Sequence, residues 1–408
     1  MDKSKLKYLV LTPYFPTPES WRGGFCYDFV AALKRTDKYD VSVFVPGKGD
    51  DYVYNSILVH RFKRFAFPLG LFPWFVNWLN EILFARKLKK LGIDIGSVAV
   101  CHSHEISCLP IALSVKKRNR HIKLVHHFHA MGHPVHLSTP RIGRIPVYST
   151  FLYLYCRRLF ESVDIPVFVS KRQCGMFGRW YPSGFLSAPS DIRKGLVSGG
   201  LLRKMELKKP YVLYNGIDYS VYYPASERKP QEDKSIVIGD VANFCESKDQ
   251  ITLIKAVEEL VVVRRVDYKV KCILIGSGET LQKCRKYVGE HGLESVVEFR
   301  PEIDHLKLAD FYRSLDLFVS PSWAEGFGCT FVEAHGCGIP IMGCKGVSVD
   351  ECFSDGEQEK WLFAPQDYKS LARMIEKWFK SRPKQNFVDR FDIDELVGKF
   401  VRHLEKIS

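Results

Sequence analysis

The chain has 12 cysteines among 408 residues, yet no two stand in C-x-x-C spacing. That excludes the usual structural zinc sites, which need paired ligands close in sequence. Several cysteines, Cys101, Cys272 and Cys344 among them, sit inside apolar runs and read as free buried thiols of a reducing compartment. No apolar run is long enough to span a bilayer. The first 16 residues are basic and then apolar, but the apolar run is short and no small-residue cleavage site follows, so a first β-strand is expected rather than a signal peptide. A cytoplasmic protein, peripheral on the inner face of the membrane, is the expectation. No nucleic-acid-binding module is recognisable. Acidic residues are scarce in the first half. Residues 1–210 hold 33 Lys and Arg against 14 Asp and Glu, a net of +19, whereas the remainder holds 27 against 32, a net of −5. The basic half is therefore expected to meet an anionic partner, above all an anionic membrane surface.

What is present is an alternation of apolar strands and amphipathic helices, over a length that implies two domains. Strands are predicted at 6–11, 41–45, 98–104 and 123–128, with a helix at 25–34 entered through Gly23-Gly24. The segment 62–90 carries large aromatics, among them Phe65, Trp74 and Trp78, between basic flanks. It reads either as an amphipathic segment in a membrane interface or as a loop and helix packed in the domain core. Residues 172–209 show no clear pattern, and the polar run 226–234 is expected to link the domains. The alternation restarts with strands at 235–241, 271–275 and 296–299 and helices at 250–263 and 280–289. A final helix is expected at 394–407.

The most informative stretch is 321–340, PSWAEGFGCTFVEAHGCGIP. An apolar strand leads into it, Pro321, Gly326 and Gly328 force a loop, and a short helix follows from Cys329. A helix start offers backbone N–H groups and a positive dipole end, which suit a phosphate. Glu325 in the loop and Glu333 on the helix have seven residues between them, and a carboxylate can accept from two sugar hydroxyls at once.

This stretch resembles the E-x7-E motif of retaining GT-B glycosyltransferases, in particular glycosyltransferase family 4. The resemblance extends to YNGID at 214–218 and to the glycine pair before the first helix. It implies two Rossmann-like α/β domains facing a central cleft. The first is an acceptor-binding domain at 1–220 with the helix 391–408 packed back on it, and the second a nucleotide-sugar domain at 221–390. It implies a donor site of Gly23, Gly24, Asn243, Lys248, Gly276, Gly278, Glu325, Gly326, Phe327, Gly328, Cys329 and Glu333. Glu325, His129 and Lys248 would carry the chemistry, with His127 the alternative to His129. One departure stands out: the family usually has an arginine where this chain has Asn243, which removes one cation from the diphosphate site.

The resemblance implies transfer from a nucleotide-diphosphate sugar, with a UDP-linked donor expected, to a lipid-linked or saccharide acceptor. It implies no cofactor, the nucleotide sugar being a substrate. Histidines at 102, 104, 126, 127, 129, 133 and 136 raise the question of a metal, but the family needs none and no metal is expected. A UDP-sugar epimerase of the same fold and a non-catalytic basic membrane-binding protein are the competing readings.

Overall fold

The computed structural model describes residues 5–65, 73–129, 146–177, 208–225, 234–354, 356–387 and 390–407. The linker read at 226–234, apart from Lys234, and the histidines at 133 and 136 lie outside the described residues.

The chain forms two compact units, one of Met1–Tyr214 with Val397–Ser408 and one of Asn215–Leu396. The division therefore falls ahead of residue 220 and well ahead of the polar run. The cause is local packing: Ile217 bridges to Asp392, and a Cβ on Gly216 would stand 2.7 Å from the Phe391 carbonyl oxygen. Tyr222 is buried in the same unit, its ring 6.3 Å from that of Tyr312.

The first unit is built on eight strands. They are β1 (Lys7–Leu11), β2 (Asp40–Pro46), β3 (Tyr52–Tyr54), β4 (Ile57–Phe62), β5 (Val98–His104), β6 (Lys123–Phe128), β7 (Ile165–Phe168) and β8 (Tyr211–Val212). Their order across the sheet is β3-β4-β2-β1-β5-β6-β7-β8. All pairs are parallel except β3 with β4. β1 is central and covered on both faces, which is why it reads as an unbroken apolar run. The first helix, Gly24–Arg35, buries Phe29, Val30 and Leu33 and places Lys34 and Arg35 in its last turn, where cations suit the dipole.

The segment 62–90 packs into the core over part of its length. Residues 66–72 are outside the described set, and Pro73–Lys90 is a helix of 18 residues. Its second half is core: Phe84 and Leu88 are buried, and the Phe84 ring lies 5.1 Å from Phe44 and 5.0 Å from Phe62. Ahead of these, Phe75 is 47% and Trp78 56% exposed.

The second unit has six strands, all parallel: β9 (Ser235–Val241), β10 (Lys269–Ile275), β11 (Val297–Arg300), β12 (Leu317–Ser320), β13 (Ile341–Cys344) and β14 (Leu362–Phe363). Their order is β11-β10-β9-β12-β13-β14. The helix expected at 250–263 is regular only over Gln250–Glu258. It widens into a π-turn at Glu259–Val263, where the Arg264 N–H reaches back to the Glu259 carbonyl at 2.9 Å.

Candidate functional site

In an open parallel sheet, ligands sit beyond the carboxyl ends of the strands where the strand order reverses. In the second unit that point lies between β9 and β12, since β10 and β11 run out one way and β13 and β14 the other. The segment after β9 carries Asn243 and Lys248, and the loop after β12 carries Glu325. The two segments are stitched together. The Trp323 N–H donates to the Ser247 carbonyl at 3.0 Å, and the Trp323 indole donates to the Glu246 carbonyl at 3.1 Å. From the other side Ser348 donates its hydroxyl to the Gly326 carbonyl at 2.7 Å.

This bracing brings Lys248 and Glu325 into a direct ion pair. Behind them stands Asp240, fully buried on β9, with one carboxylate oxygen that has no hydrogen-bond partner. Burial pushes the Asp240 carboxyl up to about 7, against the pull of Lys248 and Ser320 and with the push of Glu325. Burial lowers the Lys248 ammonium, but Glu325 and Asp240 outweigh it and hold the lysine above its ordinary value. Asp240 was not foreseen. A single aspartate in a buried strand is the signal that marks it, because an isolated carboxylate inside a low-dielectric core needs a partner.

The helix after the loop is Cys329–Gly336. Gly328 precedes it in the left-handed region, no side chain caps its start, and no acidic residue stands in its first turn. Phe327 is buried, which anchors the loop, and Gly326 carries the carbonyl held by Ser348. Glu333 lies on this helix, buried, and accepts the Tyr312 hydroxyl at 2.7 Å. Burial and the neighbouring Glu333 carboxylate raise the Tyr312 phenol well above its usual range, so it stays a donor.

Gly276 and Gly278 dock on the segment after β9. A Cβ on Gly276 would stand 2.1 Å from the Ala242 carbonyl oxygen, and one on Gly278 would stand 2.3 Å from that of Phe244. The Phe244 N–H in turn donates to the Ser277 carbonyl at 2.8 Å. Only glycine permits this approach, and the contact fixes where Asn243 emerges. Asn243 itself is exposed, and its carbonyl accepts from the Gln250 amide at 3.1 Å.

The remaining predicted residues belong to the first unit. Gly23 has φ 90°, and a Cβ there would meet the Tyr14 carbonyl carbon at 2.5 Å, so only glycine fits. Gly24 opens the first helix, and the next residue, Phe25, lays its ring 4.5 Å from that of His129. His129 is hydrogen bonded through Nε2 to His104 Nδ1 at 2.8 Å. His127 stacks beside His129 at 4.3 Å. Thus His129, not His127, stands next to the glycine turn and the start of the first helix. His104 as its positioning partner was missed, although the His-x-His pattern at the end of β5 was visible.

Two triplets, Cys26-His104-His129 and His102-His104-His127, each bring one ligand atom per residue within 4.8 Å of one another. The ring planes of the second triplet are inclined by 22° between His102 and His104, 12° between His102 and His127 and 34° between His104 and His127. Burial, reinforced by the neighbouring imidazoles, depresses His102, His127 and His129 well below the usual histidine value, and burial takes His104 to about 3. The stack is a set of neutral rings.

The sequence model of "Glycosyltransferase Family 4" matches residues 24–182, and that of "Glycosyl transferases group 1" matches residues 224–390. A D-inositol 3-phosphate glycosyltransferase of Paenarthrobacter aurescens is 28% identical over 151 residues, 35% of this chain and 36% of the relative. The lipopolysaccharide core biosynthesis mannosyltransferase LpsB of Rhizobium meliloti is 33% identical over 101 residues, 24% of this chain and 28% of the relative. The chain thus spans about a third of the length of the curated relatives it matches. Among solved structures, sucrose-phosphate synthase from Thermosynechococcus elongatus has a TM-score of 0.69 at 17% identity, covering 98% of this chain and 100% of that one. Anabaena Alr3699/HepE, in complex with UDP and glucose, has a TM-score of 0.65 at 18% identity, covering 97% and 99%. With both family models matched and the fold shared along nearly its whole length, the chain belongs to glycosyltransferase family 4 and has the GT-B fold.

Proposed function

We propose that the protein is a retaining glycosyltransferase that moves a sugar from a UDP-linked donor to a lipid-linked or saccharide acceptor in envelope or polysaccharide assembly. The observation that carries this reading is the Lys248–Glu325 pair, held at the point where the second unit's strand order reverses and beside the start of the helix Cys329–Gly336. A cation, a hydroxyl-accepting carboxylate and an uncapped helix start match the diphosphate, the sugar and the negative charge that grows on the leaving group.

In this reading Glu325 orients the sugar hydroxyls and Glu333 accepts from the ribose. Lys248, the Gly326–Gly328 loop and the N–H groups from Cys329 onward take the diphosphate. Gly276 and Gly278 hold the Asn243 segment against it. In the first unit, Gly23 and Gly24 serve the donor phosphates and His129 the sugar. The bond from the anomeric carbon to the phosphate oxygen breaks as the acceptor oxygen bonds the same face. The acceptor proton passes to the departing phosphate, and UDP leaves. These residues supply positioning and charge, with no metal or cofactor required. The UDP donor is favoured by the UDP in complex with Anabaena Alr3699/HepE, and the glycan acceptor by the likeness to LpsB, a mannosyltransferase of lipopolysaccharide core biosynthesis.

The positive first unit and the exposed Phe75 and Trp78 support a peripheral place on an anionic membrane surface, and no nucleic acid partner is proposed. Among the described residues no helix is long and apolar enough to cross a membrane. The test is incubation with UDP-sugars and candidate acceptors. Acceptor-dependent release of UDP with retained anomeric configuration supports the proposal. A changed sugar on UDP points to an epimerase, and neither outcome leaves a binding protein.

A further inference from the structure

The first unit holds a cavity of about 1440 Å³ at the carboxyl ends of β2 and β4. Pro46 and Gly47 form one wall, Phe62 and Lys63 another, and the second half of the helix Pro73–Lys90 a third. Seven cationic side chains and two carboxylates line it. Two of the cations are occupied: Lys87 is paired with Asp51, and Arg61 donates to the Lys48 carbonyl at 3.1 Å and lies over the Tyr52 ring. Asp51 is fully engaged, by His60, by Lys87 and by the Arg61 N–H. Lys48, Lys63, Arg64, Arg86 and Lys90 have no carboxylate in ion-pair distance among the described residues. Among the described lining residues, Asp50 alone remains to offset them.

Five unpaired cations around one concavity repel one another, so the arrangement favours a ligand of several negative charges over a single carboxylate. Arg64 and Arg86 supply planar forks that suit phosphate oxygens, and the lysines supply point charges. The cavity is not purely polar. Leu83, Leu91 and the 41%-exposed Phe65 line it too, which gives an ester's carbon portion a surface to lie on.

We propose that this cavity binds the phosphate or diphosphate group of the acceptor. The identification of the ligand as the acceptor rests on the transferase reading above, because the cavity is lined by first-unit residues alone and by none of the residues assigned to the donor. Two sources share this chemistry, a lipid with a phosphorylated headgroup and a soluble sugar phosphate.

The test uses inorganic pyrophosphate as the probe on the full chain saturated with UDP, so that the donor site is already filled. Calorimetry should detect pyrophosphate binding to the UDP complex. Arg86→Gln with Lys90→Gln, at exposed helix positions, should weaken it by about tenfold or more while UDP affinity stays unchanged. Lys63→Gln with Arg64→Gln, on a different wall, should do the same. Absence of pyrophosphate binding to the UDP complex, or equal binding in both variants, overturns the proposal. If UDP itself fails to bind, the donor reading falls, and the same titration on the unliganded chain still decides whether the basic cavity takes phosphate. The source follows from two competitors. Displacement of bound pyrophosphate by phosphatidylcholine vesicles containing phosphatidic acid assigns a lipid headgroup, and displacement by glucose 1-phosphate but not by vesicles assigns a soluble phosphate. Failure of both to displace it counts against an acceptor phosphate and overturns the assignment.

Discussion

Tyr312 donates its hydroxyl to the Oε2 of Glu333 across 2.7 Å of buried space, fixing the carboxylate on a helix whose start is uncapped. If Glu333 accepts from the ribose, its removal should weaken nucleotide binding while the fold survives. Glu333→Ala is expected to lower UDP affinity by roughly tenfold or more, and Tyr312→Phe by less, because the phenylalanine keeps the packing and loses only the anchor. Calorimetry with UDP on both folded variants checks this. Unchanged affinity in Glu333→Ala removes the residue from the site.

Lys248 is the cation closest to Glu325, and Asn243 stands where a second cation is usual in the family. Lys248→Ala should therefore cost turnover more than donor affinity, about 10²-fold or more in kcat. Steady-state kinetics on a confirmed sugar donor reads the split. Near-normal turnover shows that another group carries the diphosphate charge.

Asp240 gives a pH signature with a definite sign. Its carboxyl is raised from 3.8 to about 7 in the fold, chiefly by burial. The folded state thus holds a proton that the unfolded chain has already lost near neutrality. Its stabilising contribution is complete below pH 3.8 and disappears as pH rises through about 7. Asp240→Asn should remove that slope, so its stability relative to wild type should rise between pH 5 and 8 by roughly 2.5 kcal/mol. Urea denaturation at three pH values measures it; parallel curves for both proteins would refute the shift.

The buried histidines of the first unit give the opposite slope. His102, His104, His126, His127 and His129 are all depressed below 6.5, first of all by burial. Their contribution is present above pH 6.5 and is lost as pH falls, because the unfolded chain takes up protons that the fold refuses. Each such histidine costs about 1.4 kcal/mol per pH unit below 6.5. The first unit should accordingly melt at mildly acidic pH before the second does, and a scan at pH 5.5 should separate two transitions that approach one another at pH 7.5.

Phe75 and Trp78 are exposed neighbours, ring centroids 5.8 Å apart, on a helix whose other half is core. Phe75→Ser with Trp78→Ser should leave the melting temperature nearly unchanged. It should also remove the salt-resistant part of binding to anionic liposomes, while the basic residues still give a salt-sensitive part. Failure of the wild type to sediment with such liposomes at low salt ends the membrane reading.

Much of this was legible because glycine and proline punctuate the chain where the backbone must turn sharply. The unit β12, loop and helix Cys329–Gly336 was readable from Pro321, Gly326 and Gly328 alone, and Glu325 and Glu333 fell on the loop and the helix as expected. The hairpin of β3 and β4 was not seen. Tyr52–Tyr54 is a three-residue edge strand without an apolar alternation, and its partner is continuous with a basic segment. The pairing of Lys248 with Glu325 was equally hidden. Contacts separated by 77 residues depend on how two loops are tied, and backbone bonds such as Trp323 to Ser247 leave no trace in side-chain pattern. The helix Leu109–Arg118 was missed because its apolar face and its basic end follow directly on a buried strand, which blurred the change of period.

The helix Ile393–Lys406 bears on how the chain is made. Its residues from Val397 belong to the first unit, where Phe400 and Leu404 are fully buried and the Phe400 ring lies 6.2 Å from Phe29 and 5.3 Å from Tyr211. The Lys123 ammonium donates to the Leu404 carbonyl. Synthesis therefore delivers these core residues only after every residue of the second unit has emerged. The first unit cannot close its core in the usual order, amino-terminal domain first, and waits with an open apolar seam along its first helix, β5 and β8 while its neighbour folds. A ribosome stalled before residue 397 should hold the second unit protease-resistant and the first still cleavable, the reverse of the order in which they are translated.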